Sequence, residues 1–363
     1  MSNKIKSNED AKNRTLDLLK NNKEWETRYK GYADSIEENE KKYRNMAFSN
    51  FQVNRPLMVY TSIGKVIGNS SNFEYDLRFG GRSVGLIKIQ GQKGDIKKYL
   101  ILDEGKVKFL KEKGFDDYLR RVYNGIGDEF RIEEGKKKWT GEWIDVKGRE
   151  NISTAIRSFF CNNETCDLVK RSEHRIESDV LKAFDEKTAG KKILPYIVPV
   201  KLGGKYFQLS TPLKASSHNP EYSNQYGGGI DILARVTHKK SEGGNRIAII
   251  ELKDENKATE PQKDVMFQAL IYATFIAKLL RSESGNKWYK IFGKGGEVPA
   301  KLHLDVVTLM PSDGVSGEGC LKDVQIEELK TVLHLYTLYF KEDQDNGNVI
   351  KFEGTLPPSL RKK

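Results

Sequence analysis

Two acidic residues and a lysine mark the ends of two apolar segments in the C-terminal half of the chain. Asp231 stands at the head of the segment DILARV, after a triple glycine, and Glu251 and Lys253 close the segment RIAIIELK. Residues two apart in a strand project from the same face, so Glu251 and Lys253 point together. If the two segments pair as a hairpin, its open ends bring Asp231 close to both. Two carboxylates and an amine at one strand end suit a divalent cation and a proton-transfer group.

The order of these residues resembles the pattern of the PD-(D/E)xK nuclease superfamily. In that pattern an aspartate is followed, after a gap, by Glu-x-Lys on an apolar strand, as in Asp231 and Glu251-Leu252-Lys253. The resemblance covers roughly residues 150 to 310. The chain departs from the pattern at one position, because Ile230 and not a proline precedes Asp231.

Three further residues extend the resemblance to the helices on either side. Glu177, in RIESDVLKAF, lies on a predicted helix upstream of Asp231, where the superfamily carries an acidic residue. Gln268 and Tyr272 lie four residues apart on the predicted helix that follows, and look like the Gln-x-x-x-Tyr element of some branches. A surface glutamate on an amphipathic helix is the alternative reading of Glu177, and core packing is the alternative for Tyr272.

The resemblance implies a role for each residue in phosphodiester hydrolysis. Asp231, Glu251 and the carbonyl of Leu252 would hold Mg²⁺, with Mn²⁺ as an alternative, because magnesium prefers oxygen ligands. Glu177 would bind the metal directly or through water. Lys253 would orient or deprotonate the attacking water, or stabilise the charged phosphate.

Gln268 is predicted to position Lys253 or a phosphate, and Tyr272 to contact the nucleic acid. The simpler interpretation of the central group is an ion pair between Glu251 and Lys253 at a charged strand end. The strongly apolar sequence RIAII before that pair argues against this, because such a strand lies inside a fold.

Other chemistries have weaker support in the sequence. Cys161 and Cys166, followed by His174, have irregular spacing for zinc and lack an evident fourth ligand. The chain contains no P-loop of the form G-x4-G-K-S/T. ATP hydrolysis is therefore not predicted.

The charge of the chain indicates a polyanionic partner. The 363 residues carry a formal net charge of +11, with a sequence pI of about 9.2, and an excess of this size favours nucleic acid binding. Lys136, Lys137 and Lys138 precede Trp139 and Trp143, so these lysines are predicted to contact phosphates while the tryptophans stack on bases. The alternative is a solvated lysine run beside two core aromatic residues.

Composition predicts four parts of the chain and a mixed α/β (α+β) fold. The parts are a charged helical segment (1–50), a β-rich recognition or regulatory domain (51–149), a PD-(D/E)xK-like nuclease domain (150–345) and a loose C-terminal tail (346–363). The resemblance implies a restriction-endonuclease-like mixed sheet flanked by helices in the third part. The segment IEELKTVLHLYTLYFKED fits either a helix or a strand.

The sequence thus predicts a metal-dependent endonuclease acting on double-stranded DNA, similar to bacterial restriction and phage-defence enzymes. A non-catalytic nucleic-acid-binding or scaffold protein and an RNA nuclease remain the alternatives. Three cysteines and the lack of a signal-like or membrane-spanning apolar stretch predict a cytoplasmic protein without a membrane partner. Double-strand cutting would favour a homodimer, since one such site cuts one strand.

Overall fold

The computed structural model of the chain describes most of the C-terminal half and shorter parts of the N-terminal half. The described residues are 4–45, 57–62, 73–79, 82–92, 95–103, 114, 117, 121, 131–133, 138–142, 173–185, 187–188, 191–192, 196–202, 204–215, 219–224, 227–238, 244–253, 261–312, 322–342 and 350–354. Lys136 and Lys137 lie outside them, as do Cys161 and Cys166.

Helices occur near the start of the chain and around its C-terminal sheet. Those described are α1 (Asn8–Asn21), α2 (Glu24–Asn45), α3 (Glu173–Asp185), α4 (Gln262–Leu280) and α5 (Gly285–Ile291), together with a 3-10 turn at Glu327–Leu329. Helix α1 begins after Ser7, whose hydroxyl accepts a hydrogen bond from the backbone N–H of Asp10 at 3.1 Å. This cap satisfies one of the backbone donors that the first turn of a helix leaves free.

The strands fall into an N-terminal and a C-terminal group. The first group is β1 (Leu57–Ser62), β2 (Phe73–Phe79), β3 (Arg82–Gln92), β4 (Asp95–Asp103), β5 (Arg131–Glu133) and β6 (Lys138–Glu142). The second is β7 (Lys187–Thr188), β8 (Lys191–Lys192), β9 (Ile197–Pro199), β10 (Lys201–Leu202), β11 (Lys205–Gln208), β12 (Ser210–Thr211), β13 (Leu213–Lys214), β14 (Glu221–Tyr222), β15 (Gly228–Gly229), β16 (Ile232–Thr237), β17 (Asn245–Leu252), β18 (Leu302–Pro311), β19 (Val324–Ile326), β20 (Thr331–Glu342) and β21 (Ile350–Gly354).

The chain divides into two compact units that interleave along the sequence. The first unit contains Met1–Glu38, Asp179–Leu202 and Phe207–Lys363, and the second contains Asn39–Ser178 and Gly203–Tyr206. The division therefore differs from the predicted parts, because residues 1–38 join the C-terminal sheet and the boundary near residue 150 shifts into helix α3. Sequence texture could not indicate this, since the joining depends on contacts between segments far apart in the chain.

The first unit is built on a mixed sheet flanked by helices. Its strands lie in the order β19-β20-β18-β17-β16-β9, with β21 paired to β20. Strand β16 is antiparallel to both β9 and β17, whereas β17 is parallel to β18 and β18 is parallel to β20. Parallel strands need a crossover connection, and helix α4 supplies one between β17 and β18 while contacting both.

The N-terminal helices α1 and α2 pack within the first unit. Trp25 and Tyr29 of α2 are buried and contact Phe275 of α4 edge-on, with ring centroids 5.6 and 5.0 Å away. Trp288 of α5 donates a hydrogen bond from its indole N–H to the carbonyl of Tyr29 at 3.2 Å. The aromatic residues of this charged segment thus serve as core of the first unit.

The described strands of the second unit form an antiparallel sheet. Strands β1, β2, β3, β4, β6 and β5 lie side by side in that order. Their pairing is antiparallel throughout, with an irregularity in the β2–β3 register between Leu77 and Arg78. Val59, Leu77 and Ile87 contribute to its buried side.

The segment IEELKTVLHLYTLYFKED, for which the sequence fits either a helix or a strand, forms mainly a strand in the structure. It forms the 3-10 turn at Glu327–Leu329 followed by the long strand β20, which pairs in parallel with β18 along its length. The ladder with β18 favours the strand over local helical spacing.

Among the described residues no single helix is long and apolar enough to span a membrane, and α4 and α5 meet that test only as a pair bent by 118°.

Candidate active site

The hairpin of β16 and β17 places Asp231 beside Glu251. Ile232 pairs with Ile250 in the antiparallel register, so the next position along the ladder sets Asp231 opposite Glu251. Opposed residues share a face of the sheet at close spacing. Asp231 is further tied to the neighbouring strand, because its Oδ2 accepts a hydrogen bond from the backbone N–H of Leu252 at 2.8 Å.

Glu251 and Lys253 form a buried ion pair on that face. The Nζ of Lys253 lies 3.3 Å from Oε1 of Glu251, and the two residues are only 4% and 5% exposed. The backbone of Lys253 is fixed as well, since its N–H donates to the carbonyl of Leu309 on β18 at 3.0 Å. The structure thus brings Asp231, Glu251 and Lys253 together at the same end of two neighbouring strands, β16 and β17.

A row of hydroxyl groups continues from Glu251 across the parallel strands. Glu251 pairs with Thr308 of β18, and Thr308 pairs with Thr337 of β20. The hydroxyl of Thr308 donates to that of Thr337 at 3.2 Å, and the side-chain amide of Gln262 also donates to Thr337. Tyr339 donates to Oε1 of Gln262 at 3.4 Å, which fixes the first turn of α4 to this row.

Sequence reasoning did not find this polar row. Its sequence signal is a single threonine inside each of two apolar runs, DVVTLMP and HLYTLYF. The signal acquires meaning only through the parallel register that sets the two threonines next to each other and next to Glu251.

Gln268 and Tyr272 lie on adjacent turns of α4, and both are buried. A methyl group added at Gly228 would come within 2.4 Å of the Tyr272 hydroxyl oxygen, so this tyrosine packs directly against the glycine strand that precedes Asp231. Tyr272 is 6% exposed, which leaves little of its ring for a base to stack on. Its contact with Gly228 supports the packing role that the sequence left as an alternative.

Glu177 belongs to the second unit, on the first half of α3. It is buried, and its Oε1 lies 3.9 Å from Nη1 of Arg78. Arg78 also pairs with Asp76 at 2.7 Å and lies over the ring of Tyr60, with 4.1 Å between the guanidinium carbon and the ring centroid. Burial alone would lower the pKa of Arg78, but the carboxylates of Glu177 and Asp76 raise it overall.

The same cluster raises the pKa of Tyr60, through burial first and then the negative charge of Glu177. Ser178, next to Glu177, is within 3.3 Å of the Tyr60 hydroxyl. The ion pair with Arg78 thus makes Glu177 part of a buried charged cluster of the second unit.

Of the three predicted phosphate contacts, only Lys138 is described, by its backbone at the start of β6.

The donor set at the hairpin end suits a hard cation. Two carboxylates and a backbone carbonyl offer oxygen ligands only, as magnesium prefers. Within the described residues, no group of three or more His, Cys, Asp or Glu side chains lies together in a way that could hold a metal ion. Asp231 and Glu251 offer two carboxylates, so an ion held there would need backbone and water oxygens to complete its shell.

Comparison of the chain with protein-family models, with curated proteins and with solved structures found no match. The candidate active site is accordingly defined by its own geometry, namely Asp231 opposite Glu251 and the buried pair of Glu251 with Lys253.

Proposed function

We propose that the chain is a magnesium-dependent nuclease that hydrolyses phosphodiester bonds of double-stranded DNA. The observation that carries this proposal is the buried pair of Glu251 and Lys253, 3.3 Å apart, on the strand position opposite Asp231. Burying a charged side chain lowers the stability of the fold unless a partner compensates the lost solvation. A structural ion pair alone does not account for a second carboxylate at the same edge.

The order of elements supports the resemblance to the PD-(D/E)xK superfamily. An upstream helix carries Glu177, strand β16 begins just after Asp231, strand β17 ends at Leu252 within Glu251-x-Lys253, and helix α4 carries Gln268 and Tyr272. The unit that contains Asp231 and the residues after it is built on a mixed sheet flanked by helices. We therefore propose the restriction-endonuclease-like version of this architecture, and a role in bacterial restriction or phage defence in the cytoplasm.

Each residue has a part that follows from its position. The carboxylates of Asp231 and Glu251, with the carbonyl of Leu252, would hold the metal, and bound magnesium supplies positive charge that neutralises the phosphate. Lys253, held by Glu251, presents N–H donors that can orient the attacking water or a phosphate oxygen. Glu177 remains a predicted additional ligand and Gln268 a predicted positioning residue.

The net charge of +11 supports a nucleic-acid substrate. Lysine and arginine residues gain affinity for the phosphate backbone by releasing its counterions. This attraction is independent of base sequence, so it favours DNA and RNA alike. Lys136, Lys137 and Lys138 remain the predicted contacts outside the catalytic edge.

A cleavage assay tests the proposal. Supercoiled plasmid, linear duplex, single-stranded DNA and RNA are each incubated with Mg²⁺, with Mn²⁺ and with chelator. We expect metal-dependent cutting of duplex DNA that falls by at least about a hundredfold in Lys253→Ala, in line with the loss of a transition-state donor. The control is Lys290→Ala, which removes an exposed lysine of α5 and should cut like wild type.

The other results separate the alternatives. Cutting of RNA in place of DNA would identify an RNA nuclease with the same site. DNA binding without cutting and without calorimetric binding of Mg²⁺ would indicate a non-catalytic scaffold and overturn the proposal. Equal cutting by wild type and Lys253→Ala would point to a contaminating nuclease.

A further inference from the structure

The first unit contains a positively charged cavity at the opposite end of its central strands. It has a volume of about 260 Å³ and is formed by the starts of β17 and β18 and by helix α5 with the loop that follows. Arg246, Lys294, Lys301 and His303 contribute to its lining, and none of the described residues that line it is acidic. Strands rise about 3.3 Å per residue, so Arg246 lies roughly 17 Å along β17 from Glu251.

Lys294 is held in place by its surroundings. Its ammonium lies 5.9 Å from the ring centroid of Tyr289 and donates to the carbonyl of Asn245. Burial and then the positive charge of Arg235 lower the pKa of Lys294. Arg235 is itself anchored by a hydrogen bond to the carbonyl of Gly293 at 3.0 Å. Like charges are therefore kept close together around the cavity.

Arg246 is fixed from behind by a buried aspartate. Its Nη1 lies 3.1 Å from Oδ1 of Asp305, and His238 contacts the other carboxylate oxygen, Oδ2, at 2.6 Å. Asp305 is 1% exposed, so it orients the guanidinium from the interior of the unit and not from within the cavity. Arg246 also contacts the hydroxyl of Tyr336 at 3.5 Å.

His303, one of the residues that line the cavity, ends a hydrogen-bonded chain. Asp323 lies 2.8 Å from Nδ1 of His334, and Nε2 of His334 lies 2.9 Å from Nδ1 of His303. If Asp323 accepts from His334, then His334 accepts from His303, and Nε2 of His303 is the nitrogen left to take up a proton. The two rings are stacked at 5.2 Å.

We propose that this cavity is a binding site for a phosphate monoester, such as the phosphate of a mononucleotide or the terminal phosphate of a nucleic-acid strand. Three cationic residues and a histidine line one small space, and no described residue of the lining carries a carboxylate. Charged donors of this kind form short, strong hydrogen bonds to phosphate oxygens. The volume is below the roughly 300–1,000 Å³ of sites for drug-sized ligands, which fits a phosphate with a small group attached.

Binding of an anion would also draw a proton onto His303. Burial lowers the pKa of His303, and the neighbouring charges of His334, Arg246 and Lys301 lower it further, while Asp305 opposes them. Burial also lowers the pKa of His334, although Asp323 opposes this. A bound dianion favours the protonated imidazolium, so phosphate binding and proton uptake at His303 are linked.

Isothermal titration calorimetry on the full chain, with inorganic phosphate as the probe, tests the inference. AMP and adenosine follow, then a 5′-phosphorylated oligonucleotide and its 5′-hydroxyl counterpart. We expect phosphate and AMP to bind and adenosine not to bind. Displacement of phosphate by the phosphorylated oligonucleotide alone would identify a strand end as the source, and displacement by AMP alone a free nucleotide.

Two variants and a matched control make the result specific. Lys301→Glu is expected to weaken phosphate binding by about tenfold or more, because it replaces a cation by an anion at the exposed rim. Lys290→Glu makes the same charge change on the exposed side of α5, outside the cavity lining, and should leave binding close to wild type. His303→Gln should reduce the proton uptake, measured from the dependence of the binding enthalpy on buffer, relative to wild type.

The inference is overturned if wild type binds no phosphate at millimolar concentration, or if Lys301→Glu and Lys290→Glu weaken binding equally. It stands apart from the nuclease proposal. Lys301→Glu should retain metal-dependent cutting, so a failure at the cavity and a failure at Asp231 and Glu251 are distinguishable.

Discussion

Lys253 and Glu251 occupy a position where an unpaired charge is costly. Both are almost completely buried, and each compensates the other at 3.3 Å. Removing one partner of a buried ion pair costs about 3–5 kcal/mol, because the remaining charge stays in a poorly solvated place. The same pair is proposed to act in catalysis, so its energetic cost and its use coincide.

We therefore expect Lys253→Met to lower the free energy of unfolding by about 3 kcal/mol in chelator. The double variant Glu251→Gln with Lys253→Met should lose less than the sum of the single changes, because neither charge is then left alone. Urea unfolding of wild type, the two single variants and the double variant measures both quantities.

An exposed pair supplies the matched control. Lys287 lies 2.5 Å from Asp34, with side chains 45% and 48% exposed, and such pairs contribute about 0–1 kcal/mol. Lys287→Met should therefore cost no more than about 1 kcal/mol. If Lys253→Met costs as little as Lys287→Met, the carboxylate of Glu251 is well solvated and the premise of the site is wrong.

At the scale of elements, the site depends on a close approach of a strand to a helix. Strand β15 passes so near α4 that a methyl group at Gly228 would meet the hydroxyl oxygen of Tyr272 at 2.4 Å. At Gly227 the obstacle is the backbone of Pro212 and Leu213, at 2.5–2.7 Å. The triple glycine before Asp231 thus supplies space for tight packing.

Gly228→Ala should destabilise the chain by about 1–3 kcal/mol, the usual cost of overpacking. Adding Tyr272→Phe should recover part of that loss, because it removes the oxygen that the new methyl group meets. Gly227→Ala should be the more damaging glycine substitution and should not respond to Tyr272→Phe, since backbone cannot move aside as easily. Thermal unfolding of the three single variants and of the two double variants that combine Tyr272→Phe with each glycine change tests this. An equal response of both glycine variants to Tyr272→Phe would contradict it.

The elements also show which parts of the candidate site could be predicted from the sequence. The hairpin with Asp231, Glu251 and Lys253 could be predicted, because strand periodicity and a short separation fix which side chains meet. Thr308 and Thr337 could not, because their place beside Glu251 depends on the parallel pairing of β17 with β18 and of β18 with β20, which are not neighbours in the sequence. Strand β20 was ambiguous for the same reason, since its partner β18 and not its own spacing determines its conformation.

At the scale of the whole molecule, the beginning of the chain completes the C-terminal sheet. Residues 1–38 belong to the same unit as α4 and the candidate active site. They form part of the predicted charged helical segment, and within it Trp25 and Tyr29 are buried against Phe275 and Trp288. The number of charges on a helix does not reveal which partner covers its few aromatic residues.

From this packing we expect the N-terminal helices to be necessary for the stability of the first unit. Trp25 is fully buried and donates its indole N–H to the carbonyl of Leu19 at 3.1 Å. Trp25→Ala should therefore lower the free energy of unfolding by about 3–5 kcal/mol, whereas Glu26→Ala, an exposed neighbour, should change it by less than about 0.5 kcal/mol.

A chain truncated to residues 39–363 would expose Phe275 and Trp288 to water, and we expect it to bind a hydrophobic dye and to lose its cooperative thermal transition. Adding residues 1–38 as a separate peptide should reduce that dye binding, because the same aromatic face is then covered again. If the truncated chain melts at the wild-type temperature without dye binding, α1 and α2 are dispensable. The packing of α2 on α4 and α5 would then contribute little to the stability of the unit that holds the candidate active site.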